Sequence, residues 1–290
     1  MKKQIVFILF FYHIISFAQY GNLNKTELAK IKSHKTYFVL DDDAYHPYNR
    51  IIKEAVEKAW TFNSYDFIPF AKFVDTSKNS EDSFFLRVDK NAHWKTSASG
   101  PTTLTAYEIN GLVLIKGGTQ YLHYPGTSLV YVSLPNWSVY TLLEDVSNNY
   151  SYSYKLDLHL LTMQEYMKTV DSSDGDGKLK IREAKRLYSK NKDVLKKKTL
   201  LINFQDMTGG EGNEAEIAKI YTKAFKLGSF ITIQEAIAKK DDNILILNCA
   251  LTSGWYHYSV AEASTGKIVY SNWIKPSSKK IKNMFTDLAK

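Results

Sequence analysis

A single cysteine, Cys249, occurs among the 290 residues, so the chain cannot form an internal disulfide framework. Cys249 lies within an apolar run over residues 244–251, which predicts a small buried hydrophobic side chain and not a nucleophile. Beyond the amino-terminal region, no apolar stretch reaches the roughly 20 residues of a membrane-spanning helix. We therefore expect no transmembrane anchor in the mature chain.

Sequence motifs of several enzyme classes are also missing. The chain has no G-x-S-x-G elbow, no P-loop and no H-E-x-x-H zinc motif. Its histidines are scattered, and no two of them stand at a short metal-binding spacing. His159, between Leu158 and Leu160, is expected to be exposed on a helix. No catalytic residue can be assigned from a motif, and the sequence leans towards a protein that is not an enzyme.

Residues 1–18 have the order of a secretory signal peptide. Two lysines precede an uncharged, mostly apolar run over residues 5–17, and the triplet 16–18 has small residues at the two positions that a signal peptidase reads. We predict cleavage before Gln19 and favour the periplasm over the cell exterior. The triplet and the abundance of Lys, Asn and Tyr resemble exported proteins of Bacteroidota.

The composition indicates a folded basic protein. Hydrophobic residues make up 44% of the chain and aromatic residues 14%, which is enough to build a sizeable core. The formal charge is +8, and loss of Lys2 and Lys3 with the signal lowers it by two. A basic exported protein suits an acidic extracytoplasmic protein or an anionic surface polymer as its partner. The compartment and the lack of a binding motif argue against nucleic acid.

The order of predicted elements suggests two similar lobes. Residues 19–150 predict a first lobe with strands at 36–40, 65–70 and 83–88, a helix at 49–60 and a polar turn at 77–82. Residues 195–290 predict a second lobe with strands at 200–204, 230–233 and 243–249 and a helix at 214–225. The fold class is α/β to α+β, with helices on one face of each mixed sheet.

Short stretches of matching residues support an internal duplication. Lys35-Thr36 matches Lys198-Thr199, and Ser64-Tyr65 matches Ser229-Phe230. Matches about 160 residues apart indicate a duplicated domain and not a solenoid, whose repeats are about 20–50 residues long. The alternative is that any two α/β units look alike at this level.

Antiparallel hairpins are expected to complete each lobe. Asn110-Gly111 stands between apolar runs at 104–109 and 112–116 and predicts a tight turn. In the second lobe, Ser264-Thr265-Gly266 stands between runs at 256–263 and 267–273, with a positive φ expected at the glycine. A helix at 277–288 is expected to follow.

The strand at 200–204 and the segment SVAEASTGKIVYSNW at 259–273 resemble TolB-like amino-terminal domains and curli-secretion-type periplasmic domains. In those domains a strand ends in a similar turn and a terminal helix packs back on the sheet. The resemblance covers about 90 residues of the second lobe. It implies a periplasmic interaction domain rather than an enzyme.

A connector over residues 151–194 is expected to join the lobes as a helix–loop–helix, and its loop at 171–183 resembles an EF-hand. Calcium prefers six to eight oxygen ligands at fixed loop positions around a glycine. With Gly177 as that glycine, the candidate metal ligands are Asp171, Ser172, Asp174, Asp176, Lys178 (through its carbonyl) and Glu183. Two departures are Ser172 in place of the first aspartate, unless Asp171 substitutes, and Lys180 at position 9. The prediction is a weak, structural calcium site; the alternative is a polar turn that ends one helix and caps the next.

Two further groups are candidate ligand-binding residues. Asp43 and His46 follow the predicted strand at 36–40, at the edge where α/β enzymes place active residues. Trp255 and His257 lie in an aromatic cluster that could hold a sugar or peptide. The alternatives are a capping role for the first pair and core packing for the second.

The sequence as a whole therefore predicts an exported, non-enzymatic binding or assembly protein, with calcium at the central loop as a candidate stabiliser. An extracytoplasmic hydrolase that uses Asp43 and His46 is one alternative. A calcium-dependent adhesion or structural protein is the other.

Overall fold

The structure, a computed structural model, describes residues 23–80, 82–95, 105–118, 129–134, 155–176, 188, 191–203, 214–252, 255–274 and 279–290. Two five-stranded mixed sheets and seven α-helices lie within these residues and form two lobes. The predicted α/β to α+β class is therefore confirmed. The predicted export signal at 1–18 lies outside the described residues. Among the described helices, none is long and apolar enough to cross a membrane.

The first lobe contains, in chain order, α1 (Lys25–Ser33), β1 (Thr36–Leu40), α2 (Pro47–Ala59), β2 (Tyr65–Pro69), α3 (Phe70–Asn79), β3 (Phe84–Lys95), β4 (Thr105–Lys116), β5 (Val130–Ser133) and α4 (Leu156–Ser172). Its sheet, which we call the first sheet, has the strand order β2-β1-β3-β4-β5. β1 is parallel to both of its neighbours, whereas β4 is antiparallel to β3 and β5.

The second lobe begins with a 3₁₀ helix (Lys192–Lys196) and continues with β6 (Thr199–Ile202), α5 (Glu214–Ile220), β7 (Phe225–Leu227), α6 (Phe230–Ala238), β8 (Ile244–Thr252), β9 (Trp255–Glu262), β10 (Ile268–Ile274) and α7 (Lys280–Ala289). Its sheet, the second sheet, has the order β7-β6-β8-β9-β10. β6 is parallel to β7 and β8, and β9 is antiparallel to β8 and β10.

The two sheets thus share one topology. Each has its first strand in the second position, flanked by two parallel partners, and ends in two antiparallel strands. A helix also follows the first, second and last strand of each lobe, so α4 in the first lobe takes the place of α7 in the second. This is the arrangement that an internal duplication predicts. It also gives α4, expected as part of the connector, a role as the closing helix of the first lobe.

Helices cover both faces of the sheets. Phe38 and Leu112 belong to the core under α2 and α4, whereas Phe85 packs against Phe73 of α3 on the other face. This alternation follows the two-residue period of a strand. The second lobe has α5 and α7 on one face and α6 on the other. The sequence predicted helices on only one face of each sheet. In the structure, each sheet also has one helix on its opposite face.

Prolines set two of the local boundaries. Pro47 occupies the first position of α2, where its fixed φ suits the helix and its missing N–H has no bond to make. Pro69 ends β2, the edge strand of the first sheet, because proline cannot donate to a β-ladder.

Two predicted elements are wrong, and one helix is absent from the prediction. Asn110 and Gly111 do not form a turn: both lie inside β4, which pairs with β3 without interruption over twelve residues. The polar turn expected at 77–82 overlaps the last three residues of α3, the helix absent from the prediction, whose Phe73 and Ser77 are buried one helical turn apart. The strand expected at 230–233 is the first turn of α6, capped by Ser229 through a 3.4 Å bond from the Thr232 amide.

The residue matches between the lobes also need a correction. Thr36 shares a strand face with Phe38, which faces α2, but Thr199 shares a face with Leu201, which faces α6. A match of Thr36 with Thr199 therefore places equivalent residues on opposite faces, an error of one residue in register. Tyr65 begins a strand while Phe230 begins a helix, so this match fails too.

Candidate functional site

Helix α4 lies between the two lobes and packs against both. One stripe, which includes Leu156, Leu160 and Met163, belongs to the core of the first lobe. On another side of the helix, Leu158 packs with Leu201, Ile246, Ala261 and neighbouring residues of the second lobe. Residues three and four apart share one face of a helix, which is how a single helix presents two apolar stripes.

Two hydrogen bonds attach α4 to the second sheet. Lys155 Nζ donates to the Leu247 carbonyl of β8 at 3.0 Å, and Thr162 Oγ1 donates to the Gly266 carbonyl at 2.8 Å. The Lys155 side chain is fully buried. Gly266 has φ +71°, which confirms the positive φ expected in this turn.

Polar side chains are buried at this junction. His159 is 1% exposed, and its Nε2 has no hydrogen-bond partner, so the expectation of an exposed His159 is wrong. Burial and the nearby Lys155 charge lower the pKa of His159 to about 3. On the second sheet, Asn248 Oδ1 also lacks a partner and is buried. Buried polar atoms without hydrogen-bond partners are energetically costly and uncommon in folded proteins.

His257 is one of the predicted ligand-binding residues, and it is buried in the same face of the second sheet. Its Nε2 lies 3.0 Å from Ser271 Oγ, and burial lowers its pKa to about 3. A buried neutral histidine at this place favours the packing alternative over a sugar or peptide site. Trp255 begins β9, but its side chain lies outside what the structure describes.

The candidate calcium loop is described only in part. Asp171 and Ser172 form the last turn of α4, and Asp171 makes an ion pair with Lys32 at 2.7 Å. Asp174 and Asp176 follow the helix and are exposed. The remaining two predicted ligands, Lys178 and Glu183, lie outside the described residues. Within the described part of the chain, no group of three His, Cys, Asp or Glu residues could hold a metal ion.

The calcium prediction has a direct calorimetric check. We expect saturable heat only in the range of roughly 0.1 to 1 mM calcium, because Ser172 supplies no carboxylate and Asp171 is paired with Lys32. Glu183→Gln, which removes the bidentate carboxylate, should abolish that heat. Absence of heat in the unmodified protein would contradict calcium binding and leave the loop as a helix-terminating turn.

Asp43 and His46 lie together in the loop between β1 and α2, where both bind backbone amides. Asp43 Oδ1 accepts from the Tyr45 amide at 3.0 Å, and His46 Nδ1 accepts from the Tyr48 amide at 3.3 Å. Asp42 Oδ1 accepts from the Ala71 amide at 2.8 Å and so caps α3. The Asp43 and His46 bonds are those of a turn and of a helix amino terminus, which favours the capping role.

Four lysines gather where the 3₁₀ helix meets the carboxyl end of α7, and we call Lys192, Lys196, Lys197 and Lys223 the lysine cluster. Lys223 Nζ donates to the Leu288 carbonyl at 2.7 Å, which places it at the negative end of the α7 dipole. Burial, followed by the positive charges of Lys196 and Lys192, lowers the pKa of Lys223. The cations are therefore close enough to repel one another.

Within the part of the chain that the structure describes, acidic groups balance this cluster only in part. Asp193 pairs with Lys196 at 2.7 Å, and Asp287 lies 3.9 Å from Lys192. The side chains of Lys197 and Lys196 are exposed, and both belong to the run of three lysines at 196–198 in the sequence. The lysine cluster depends on the 3₁₀ helix, the end of α5 and the end of α7, which come together only in the fold.

Comparison with known protein families finds no match for this chain, and comparison with curated proteins finds no significant match.

Proposed function

We propose that the protein is an exported, two-lobed binding protein and that its lysine cluster binds an anionic polymer outside the cytoplasm. The proposal combines the predicted export signal with one structural observation: Lys192 and Lys223 meet at the carboxyl end of α7, beside the 3₁₀ helix whose end carries the exposed Lys196 and Lys197. Like charges held close together create a positive potential that attracts an anionic chain. An acidic polysaccharide of the cell surface is the class of partner that fits an exported protein.

Only two of the four lysines in the cluster have a structural role. Lys192 and Lys223 cap the carboxyl end of α7, so these two have a structural use. Lys196 and Lys197 project into solvent with Asp193 as their acidic neighbour. Exposed ion pairs of this kind contribute little to stability, which leaves these two lysines available for a ligand.

Charge reversal at Lys196 and Lys197 tests this function. Binding of the protein to immobilised polygalacturonic acid should weaken at least about tenfold in Lys196→Glu/Lys197→Glu, a loss of about 1.4 kcal/mol. Because the attraction is between exposed charges, raising the salt concentration from about 0.05 M to about 0.3 M should also weaken the binding of the unmodified protein to the polymer.

Lys239 and Lys240 provide the matched control. They are an exposed lysine pair at the end of α6, but Asp241 and Asp242 follow directly and offset their charge. Lys239→Glu/Lys240→Glu makes the same change in net charge and should leave binding close to that of the unmodified protein. Equal losses in the two double variants would indicate attraction to overall charge and contradict a site at the lysine cluster.

A further inference from the structure

We propose that the contact between α4 and the second sheet is an acid-sensitive latch. It holds the two lobes together near neutral pH and releases them in acid, while each lobe stays folded. This device is independent of the lysine cluster.

The geometry places His159 in the contact itself. Lys155, Leu158, His159 and Thr162 stand at the spacing i, i+3, i+4 and i+7, which puts them on one side of α4. The other three all contact the second lobe: Lys155 at Leu247, Leu158 in its apolar cluster and Thr162 at Gly266. His159 is buried within this stripe, so separation of the lobes exposes it to water.

Among the residues that the structure describes, the charged groups around His159 offer no compensation for a second positive charge. Lys155, one turn earlier on α4, is the charge that acts on His159, and it repels an imidazolium. From the second sheet, His257 is the titratable group on the face that α4 covers. Glu262 of the same strand already pairs with Lys198 at 2.8 Å. Asp157 lies on the far side of α4, where burial raises its pKa and the charge of Lys58 opposes that rise only in part.

The direction of the pH effect follows from these positions. His159 has a pKa of about 3 while buried and an ordinary value near 6.5 once exposed. The closed state therefore binds fewer protons, and its stability is complete above pH 6.5 and falls as the pH drops towards 3. Each pH unit in this window shifts the balance about tenfold towards open lobes, so His159 alone contributes about thirtyfold at about pH 5.

Separation is expected before unfolding because each lobe keeps a hydrophobic core of its own. Each lobe has its own set of buried apolar residues around its own sheet. When the lobes part, α4 keeps its stripe of Leu156, Leu160 and Met163 against the first lobe. Separation breaks the packing around Leu158, the two hydrogen bonds to the second sheet and the contact between β4 and β8.

Small-angle X-ray scattering and far-UV circular dichroism, followed together from about pH 7.5 to about pH 3.5, test the latch. We expect the radius of gyration to rise in acid while the circular dichroism stays native. A radius that stays constant over this range overturns the proposal. A rise that coincides with loss of circular dichroism also overturns it, because that result is whole-protein unfolding.

His159→Met tests which residue titrates, since methionine fills a similar volume without a proton site. It should move the expansion to lower pH, whereas His34→Met, at an exposed histidine, should leave the midpoint unchanged. An unchanged midpoint in His159→Met overturns the assignment to His159. Circular dichroism at neutral pH establishes that both variants fold, and the measurement on the unmodified protein decides the proposal by itself.

Discussion

Replacing Gly266 with alanine is expected to destabilise the protein by about 3 kcal/mol. Gly266 is at φ +71°, so alanine has to adopt the left-handed region at a cost of about 1 kcal/mol. Its Cβ would also lie 2.5 Å from the Thr162 nitrogen and 2.6 Å from Leu161 Cβ. A helix backbone cannot rotate away as a side chain can, so the turn and α4 have to move apart.

Gly175 provides a matched control for this prediction. It is at φ +66°, yet nothing lies within 4 Å of the Cβ that alanine would add. Gly175→Ala should therefore cost about 1 kcal/mol, the backbone term alone. The difference between the two variants in urea unfolding measures the close approach of the turn to α4. Equal losses would show that the turn relaxes without pressing on the helix.

Thr162→Val separates the hydrogen bond at this contact from the packing. It removes the 2.8 Å bond to the Gly266 carbonyl but keeps the shape of the side chain. We expect a loss of about 1 kcal/mol, smaller than that of Gly266→Ala. This order of effects would identify steric fit, and not the hydrogen bond, as the main constraint between the turn and α4.

Local sequence patterns predict two kinds of element here: runs that are apolar on both faces, and helices that have one apolar face. β1 is an apolar run that is buried on both faces, and it is found at the predicted residues. In α2, Ile52, Val56 and Ala59 repeat at helical spacing and are buried as expected. Cys249 is 1% exposed, as its apolar surroundings indicate. In each case the positions of the apolar residues along the chain indicate which side of the element faces the core.

The errors arise where tertiary pairing overrides a local signal. Asn110-Gly111 is a strong turn signal. However, β4 pairs with β3 over twelve residues, and Leu112 and Leu114 lie on the face of β4 that packs in the core. The shared offset between the lobes fails because strand registers differ by one residue, which identity matches cannot detect. Neither error changes the predicted order of elements along the two lobes, because that order depends on which elements occur and not on their exact ends.

The buried junction could not be predicted because it has no local signature. His159 stands between two leucines on an amphipathic helix, and only the stripe that it shares with Lys155 and Leu158 hints at burial. That stripe becomes a contact only because a second lobe packs on it. The apolar residues on two sides of the helix could have indicated burial on both sides. Nothing in the sequence indicated that the lysine at the start of the helix is buried.

The carboxyl-terminal helix is held by a polar network that a single substitution should disrupt. Asp287 Oδ2 accepts hydrogen bonds from Tyr258 and Tyr270 of the second sheet and from Asn272 Nδ2 at 2.9 Å. Asp287→Ala leaves three donors without their acceptor, and we expect a loss of about 3 kcal/mol in urea unfolding at neutral pH. Asp287→Asn keeps an acceptor oxygen at this place and should cost less.

This loss should depend on pH, which separates the network from ordinary packing. Burial by itself raises the pKa of Asp287, but the bonds from Tyr258, Tyr270 and Asn272 more than offset it, and the pKa is lowered below 3.8. The stabilisation is therefore complete above that pH and is lost as the pH falls through the lowered value. The difference between the unmodified protein and Asp287→Ala should shrink in strong acid. A difference that is constant with pH would mean that the carboxylate charge contributes nothing and that the side chain acts by its volume alone.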